Sequence, residues 1–207
     1  MPLDRSTIYL ASRSPRRREL LHQIGVRHEV LAQRVKAARG PDVNEDVLPG
    51  EDPRDYVTRV CRDKAESGWT RVLQRKLPPR ALLAADTTVC LGGEIFGTPA
   101  DAAEAAAILA RLSGREHEVL TAVALKYQDR IELLLSATAV RFRSLEPGEI
   151  ARYVASGEPM DKAGAYGIQG HAGAFIEEIR GSYSGVMGLP LYETARLLKL
   201  FGLGPSA

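Results

Sequence analysis

The sequence predicts a mixed α/β protein, a central mixed sheet flanked by helices, from three observations. Residues 81–91 are apolar apart from Asp86, Thr87 and Thr88, which suits a strand covered on both faces. Residues 118–127 and 131–143 are long β segments separated by Gln128-Asp129-Arg130, so they read as an antiparallel hairpin. Helical segments lie between and around these strands without strict βαβ repetition, which favours a mixed sheet over a Rossmann unit.

In chain order, residues 7–12 form a first strand, and Pro15 to Ile24 a helix with Leu20, Leu21 and Ile24 at helical spacing. Ser14 caps it, Pro15 suits its first position and Gly25 closes it. Val26 to Val35 reads as extended, and the polar stretch from Arg39 to Asp52, with Gly40, Pro41, Pro49 and Gly50, as a long exposed loop. Asp52-Pro53 starts a second helix that runs to about Trp69. After the strand at 81–91, Gly92-Gly93 suits a tight turn into Glu94–Phe96, and Asp101–Leu112 is an alanine-rich helix ended by Ser113-Gly114. Beyond the hairpin, Pro147–Ser156 reads as a helix, Gly164–Gly173 as a glycine-rich stretch, Ala174–Ile179 as a strand and Pro190–Phe201 as the last helix.

With 207 residues, 44% of them hydrophobic and 26% charged, the chain can bury one good-sized core or two closely joined lobes. A net charge of +2 is too small for a surface that coats nucleic acid, and with 6% aromatic residues no basic-aromatic platform for single strands is present. Met-Pro-Leu-Asp-Arg at the start lacks a secretion core, and no run is long enough to span a bilayer, so a cytoplasmic protein without membrane or nucleic-acid partners is expected. Cys61 and Cys90 read as buried thiols rather than a disulfide. His22, His28, His117 and His171 show no metal-ligand spacing, so a zinc centre is not expected; a hard cation held by carboxylates and phosphates is the plausible metal.

Three segments could carry chemistry. Leu10-Ala-Ser-Arg-Ser-Pro-Arg-Arg17 runs from a strand into a helix start bearing hydroxyls and guanidinium groups, a socket shaped for polyphosphate. A capped helix with a basic first turn is also a common surface feature, but arginines crowd the end that the helix dipole makes unfavourable for cations unless an anion binds there. Asp86 interrupts an apolar strand; a buried carboxylate there must be paired, bind a metal or act at a site, or else it caps a turn at the strand's end. In Asp161-Lys-Ala-Gly-Ala-Tyr-Gly-Ile-Gln-Gly170 the small residues allow backbone to approach a ligand, Lys162 could meet a phosphate and Gln169 could read a base edge, although a wide turn has the same glycine spacing. Lys64, alone on an amphipathic helix, reads as solvated surface. No Gly-x-x-x-x-Gly-Lys-Ser/Thr pattern occurs, which sets aside an ordinary P-loop NTPase.

Taken in order, Ser12-Arg-Ser-Pro-Arg-Arg17, Ala85-Asp-Thr87, Asp161–Gly170 and Val186-Met-Gly-Leu-Pro-Leu191 resemble the Maf family of nucleoside triphosphate pyrophosphatases over almost the whole chain. The resemblance implies one domain over residues 1–207, two lobes around a mixed sheet with a cleft between them, similar to inosine triphosphate pyrophosphatases. It implies attack of water on the α-phosphorus of a nucleoside triphosphate, giving monophosphate and pyrophosphate with a divalent cation, magnesium or manganese. On it, Asp86 is the general base or a metal ligand, and Glu45 a second metal ligand. Ser12, Ser14, Arg17, Lys64 and Lys162 fall on phosphate-holding positions, and Arg16, Thr87 and Gln169 on positions that look like the branch preferring dTTP and UTP. A homodimer is likewise implied. Thr98-Pro99 departs from the resemblance, which has lysine before that proline, and the loop after the first helix is longer than usual. A nucleotide-sensing inhibitor of cell division, acting by binding rather than catalysis, is the alternative in another class; it would need the arginine socket but not the carboxylate.

Overall fold

The structure, a computed structural model, describes residues 4–31 and 43–204. Its axis is β3 (Arg80–Leu91). On one side β3 pairs in parallel with β1 (Asp4–Leu10), and β1 in parallel with β2 (His28–Val30). On the other it pairs antiparallel with β5 (Glu116–Tyr127), followed by β6 (Arg130–Phe142) and β7 (Ile176–Arg180). The short β4 (Glu94–Phe96) folds back on the end of β3 through Gly92-Gly93. The sheet is therefore mixed, as the sequence predicts.

Helices cover this sheet in groups. The even-numbered side chains of β3, Leu82 and Ala84, face α2 (Pro53–Gln74), which buries Val57, Val60, Ala65 and Trp69 against them. The odd-numbered Ala81, Leu83 and Ala85 face α1 (Pro15–Gln23) and α6 (Leu191–Leu200), packed through Leu20, Leu21, Leu197 and Leu198. Farther along the same face, Val89, Val119 and Val140 are covered by α3 (Ala102–Leu112), α4 (Pro147–Ala155) and the glycine-rich segment. Thr87 lies between these two coverings, and the division into two lobes follows from that spacing.

Several boundaries move. β1 starts at Asp4 rather than residue 7. α2 continues to Gln74 because 70–74 contain no breaker and Arg71 and Val72 are buried; Pro78-Pro79 follow only after the helix has ended. The extended stretch expected over 26–35 is a strand only at His28–Val30, and residues 32–42 lie outside the described residues. Residues 43–52 form no helix or strand. Short 3-10 turns at 158–161, 163–165 and 171–175 lead into and through the glycine-rich stretch, and α5 (Tyr183–Val186), which no periodicity announces, precedes α6. Both cysteines are buried and free, and burial pushes Cys61 up to about 12 and Cys90 up to about 11, so neither is a thiolate at neutral pH. Among the described residues no helix is long and apolar enough to cross a membrane.

The lobe under α3 and α4 has an aromatic centre. His117 and Tyr166 stack edge-on against each other and against Phe142, and Phe142 against Phe175. His117 is 2% exposed, its Nε2 lies 2.8 Å from the Tyr166 hydroxyl, and its Nδ1 finds no partner among the described residues. Burial lowers its pKa from 6.5 to about 4. Between those values the unfolded chain carries the His117 proton and the native chain does not, so stability falls as pH drops from about 6.5 to about 4 and then levels off. We predict a loss on the order of 3 kcal/mol over that window from this residue. Urea unfolding at pH 7 and pH 4.5 measures it; His117→Gln should flatten the dependence, and an unchanged slope in that variant would contradict the assignment.

Candidate active site

A gap in the sheet places the site. β1 leaves β3 after the Leu10–Leu83 pair, and β4 joins the same side of β3 at Val89. Residues 84–88 of β3 therefore have β5 on one side and, among the described residues, no strand on the other. The chain leaving β1 turns at once into α1, so the gap opens at a helix N-terminus, the usual location of ligand crevices in open α/β sheets. A cavity of about 570 Å³ fills it, and because it meets β3 edge-on it receives side chains from both faces of the strand, Asp86 and Thr87 alike.

Asp86 is 6% exposed, and Lys64 from α2 donates from Nζ to its Oδ1 at 2.7 Å. The same ammonium lies 3.0 Å from Oε1 of Glu45. The sequence reading of Lys64 as solvated surface is thus corrected: its side chain is 12% exposed because α2 packs that face onto β3, and the buried carboxylate requires a counter-charge.

At the start of α1, Ser14 accepts a hydrogen bond from Arg17 N at 3.4 Å, as expected of the cap. Ser12 accepts from Ser14 N at 3.2 Å and from Arg17 Nη1 at 3.3 Å. Arg17 also donates from Nε to Gly188 O at 2.7 Å and from Nη2 to Thr87 Oγ1 at 3.3 Å. Burial lowers its pKa and the Asp86 carboxylate opposes that; it remains a cation, as arginine does throughout the accessible range. Three of its donors are committed to the protein, leaving one N–H on each terminal nitrogen without a partner among the described residues. Thr121, opposite Thr87 on β5, donates to Gly185 O at 2.8 Å and lies 3.1 Å from Thr87 Oγ1, so it fixes the threonine on which Arg17 rests.

The far wall is the segment from Glu158 to Gly170. Glu158 accepts from Tyr153 Oη at 2.9 Å and from the His171 backbone N–H at 3.1 Å, and its Oε2 lies 2.8 Å from His171 Nδ1. Burial pushes Glu158 up, but these bonds outweigh it and hold the carboxyl below its ordinary pKa. Gly170 lies so close that a Cβ there would stand 2.1 Å from Glu158 Oε1. At Gly164, φ is 70° and a Cβ would come within 2.5 Å of Val89, so this wall sits directly on the strand bearing Asp86. Lys162 donates to the Glu158 carbonyl at 2.6 Å and to Asp161 Oδ1 at 2.5 Å. Gln169 is exposed on the cavity wall and makes no hydrogen bond among the described residues.

Ser14, Arg16, Arg17, Glu45, Lys64, Asp86, Thr87, Lys162 and Gln169 all line this cavity. Ser12 stands just behind them, its hydroxyl accepting from Ser14 N and Arg17 Nη1 at the start of α1. Sequence reasoning gave no role to Thr121, Tyr153, Glu158 or Asp161. Thr121 looks like any strand threonine, and the tie from Glu158 to His171 joins residues 13 apart across irregular chain. Thr98, the departure from lysine, also lines the cavity.

The Lys64–Asp86 pair gives a stability test. Lys64→Met leaves a buried carboxylate without its ammonium, and we predict a loss of about 2 to 3 kcal/mol in urea unfolding. Adding Asp86→Asn should recover most of it. If the double variant is no more stable than Lys64→Met, the pair is not the reason Lys64 is buried.

Known proteins resemble the chain over nearly its whole length. The dTTP/UTP pyrophosphatase of Nitrosomonas europaea is 57% identical over 196 residues, 95% of this chain and 95% of the relative. That of Aromatoleum aromaticum is 60% identical over 196 residues, 94% of this chain and 95% of the relative. That of Bordetella pertussis is 58% identical over 200 residues, 97% and 95% respectively. Among solved structures, the Staphylococcus aureus Ham1 protein aligns over 66% of this chain and 71% of that one at 14% identity and a TM-score of 0.40, too slight a likeness to carry an argument. The model of the Maf-like protein family matches residues 7–201, and the chain belongs to that family.

Proposed function

We propose that the chain is a nucleoside triphosphate pyrophosphatase hydrolysing dTTP and UTP, together with modified pyrimidine triphosphates, to the monophosphate and pyrophosphate. The observation that carries this reading is that one cavity gathers a buried carboxylate, Asp86, the cations Arg16, Arg17, Lys64 and Lys162, and the unengaged amide of Gln169. The names of relatives more than half identical to it support the same reading.

In this reading the α1 N-terminus, Ser14, Arg16 and Arg17 hold the phosphate tail, whose negative charge the helix dipole and guanidinium groups favour. Lys162, anchored by the Glu158 carbonyl, adds a cation from the opposite wall. Water attacks the α-phosphorus, its proton passes to the Asp86 carboxylate, and the bond from the α-phosphorus to the bridging oxygen breaks, with the electron pair leaving on pyrophosphate. Thymine and uracil share an edge that alternates acceptor and donor, and the Gln169 amide can answer an acceptor-donor pair within it. Arg16 and Thr87 complete the preference for that branch of substrates.

The donor set suits a hard divalent ion. Asp86 and Glu45 both contact Lys64 Nζ, at 2.7 and 3.0 Å, so the two carboxylates face the same part of the cavity, and two carboxylates completed by substrate phosphates are a common magnesium arrangement. Magnesium or manganese held there would supply Lewis-acid neutralisation of the phosphate oxygens. A cytoplasmic homodimer that needs neither nucleic acid nor membrane completes the reading.

A panel of nucleoside triphosphates with magnesium or manganese, assayed separately for pyrophosphate and orthophosphate, tests it. We expect dTTP and UTP to lead the panel with pyrophosphate as first product, and Asp86→Asn to lower kcat by roughly a hundredfold or more while nucleotide still binds. Orthophosphate as first product would overturn the cleavage position, and unchanged turnover in Asp86→Asn would overturn the base assignment.

A further inference from the structure

Across the cavity mouth, α1 and the 158–162 turn are joined by charge. Asp161 Oδ2 lies 3.9 Å from Arg16 Nη1, and Oδ1 accepts from Lys162 Nζ at 2.5 Å. Asp161 is well exposed, its side chain 68% accessible, whereas Arg16 and Lys162 are 29% and 15% accessible. The two cations thus sit in the wall, and the carboxylate reaches them from the solvent side. Burial pushes the Asp161 carboxyl up, but the Lys162 hydrogen bond and both positive charges outweigh it, so the group stays an anion. Lys162 does not depend on this contact for its position, because the Glu158 carbonyl holds the same ammonium at 2.6 Å. An exposed anion on an ammonium anchored without it is poised to leave when a stronger anion arrives.

We propose that Asp161 is an internal competitor for the phosphate tail: its carboxylate occupies Arg16 and Lys162 in the empty cleft, substrate must displace it, and it thereby sets affinity for the tail while leaving the Gln169 contact to the base unchanged. This rests on reading Arg16 and Lys162 as tail-binding groups. A polyphosphate brings several charges against one and wins the exchange. A ligand without phosphates leaves Asp161 where it is. The same carboxylate returns to the cations as pyrophosphate departs, which limits how long that product is held.

The test removes the charge and keeps the shape. In Asp161→Asn we expect KM for dTTP and the calorimetric Kd for pyrophosphate each to fall roughly three- to tenfold, the range for releasing two screened ion pairs. Thymidine affinity should stay within about twofold of the parent value, and Asp161→Glu, which keeps the anion, should show no gain. A purely structural role would weaken binding or lower Tm and would not tighten it. The proposal is overturned if pyrophosphate binds Asp161→Asn no more tightly than the parent, or if thymidine gains as much as pyrophosphate. Should the parent chain fail to hydrolyse dTTP yet bind pyrophosphate, the activity reading falls while the titration still decides the role of Asp161.

Discussion

The missing neighbour beside residues 84–88 of β3 is the constraint on which the site depends. A fully paired strand presents one face to each covering layer, and consecutive residues of it cannot share a cavity. Here β1 ends early and β4 begins late, so the strand edge itself is the cavity floor, and Asp86 and Thr87 enter from opposite faces. Because the chain leaving β1 becomes α1 at that point, the helix N-terminus is delivered to the gap without any long connection. One topological feature thus brings together a carboxylate, a helix start and the cations of that helix.

Electrostatics then determines what each charge can do. Asp86 is buried and needs an opposite charge, which Lys64 provides from α2. Arg17 is tied to Ser12, Thr87 and Gly188, so it is a fixed part of the wall with limited donor capacity toward a ligand. Arg16 and Lys162, both met by the exposed Asp161, are the exchangeable positive charges. The cleft therefore contains two kinds of cation: one kind satisfied by the fold, another satisfied provisionally by an anion that substrate can replace.

Much of this was legible in the sequence. The apolar run at 81–91, the hairpin around Gln128–Arg130 and the Ser14-Pro15 helix start are local signals, and the structure keeps each close to its expected position. Asp86 was visible as the charge that breaks an apolar run. Lys64 was not, because nothing on α2 distinguishes a lysine facing solvent from one facing a carboxylate 22 residues away; burial is decided by the packing of α2 on β3. Ser12 reads from the sequence as one more anion donor at the helix start, and its hydrogen bonds to Ser14 N and Arg17 Nη1 depend on the tight turn before α1, which residue types alone do not specify. The tie of Glu158 to Tyr153 and His171 depends on the path of three short turns, for which hydrophobic periodicity carries no signal.

In the proposed reaction Asp86 faces the point where water meets the α-phosphorus of a nucleotide whose tail lies along α1. Hydrolysis of dTTP in water enriched with oxygen-18, followed by mass analysis of both products, tests this most directly. We expect one heavy oxygen in dTMP and none in pyrophosphate. Label found in pyrophosphate would mean attack at the β-phosphorus, and the arrangement of carboxylate and tail described above would be wrong.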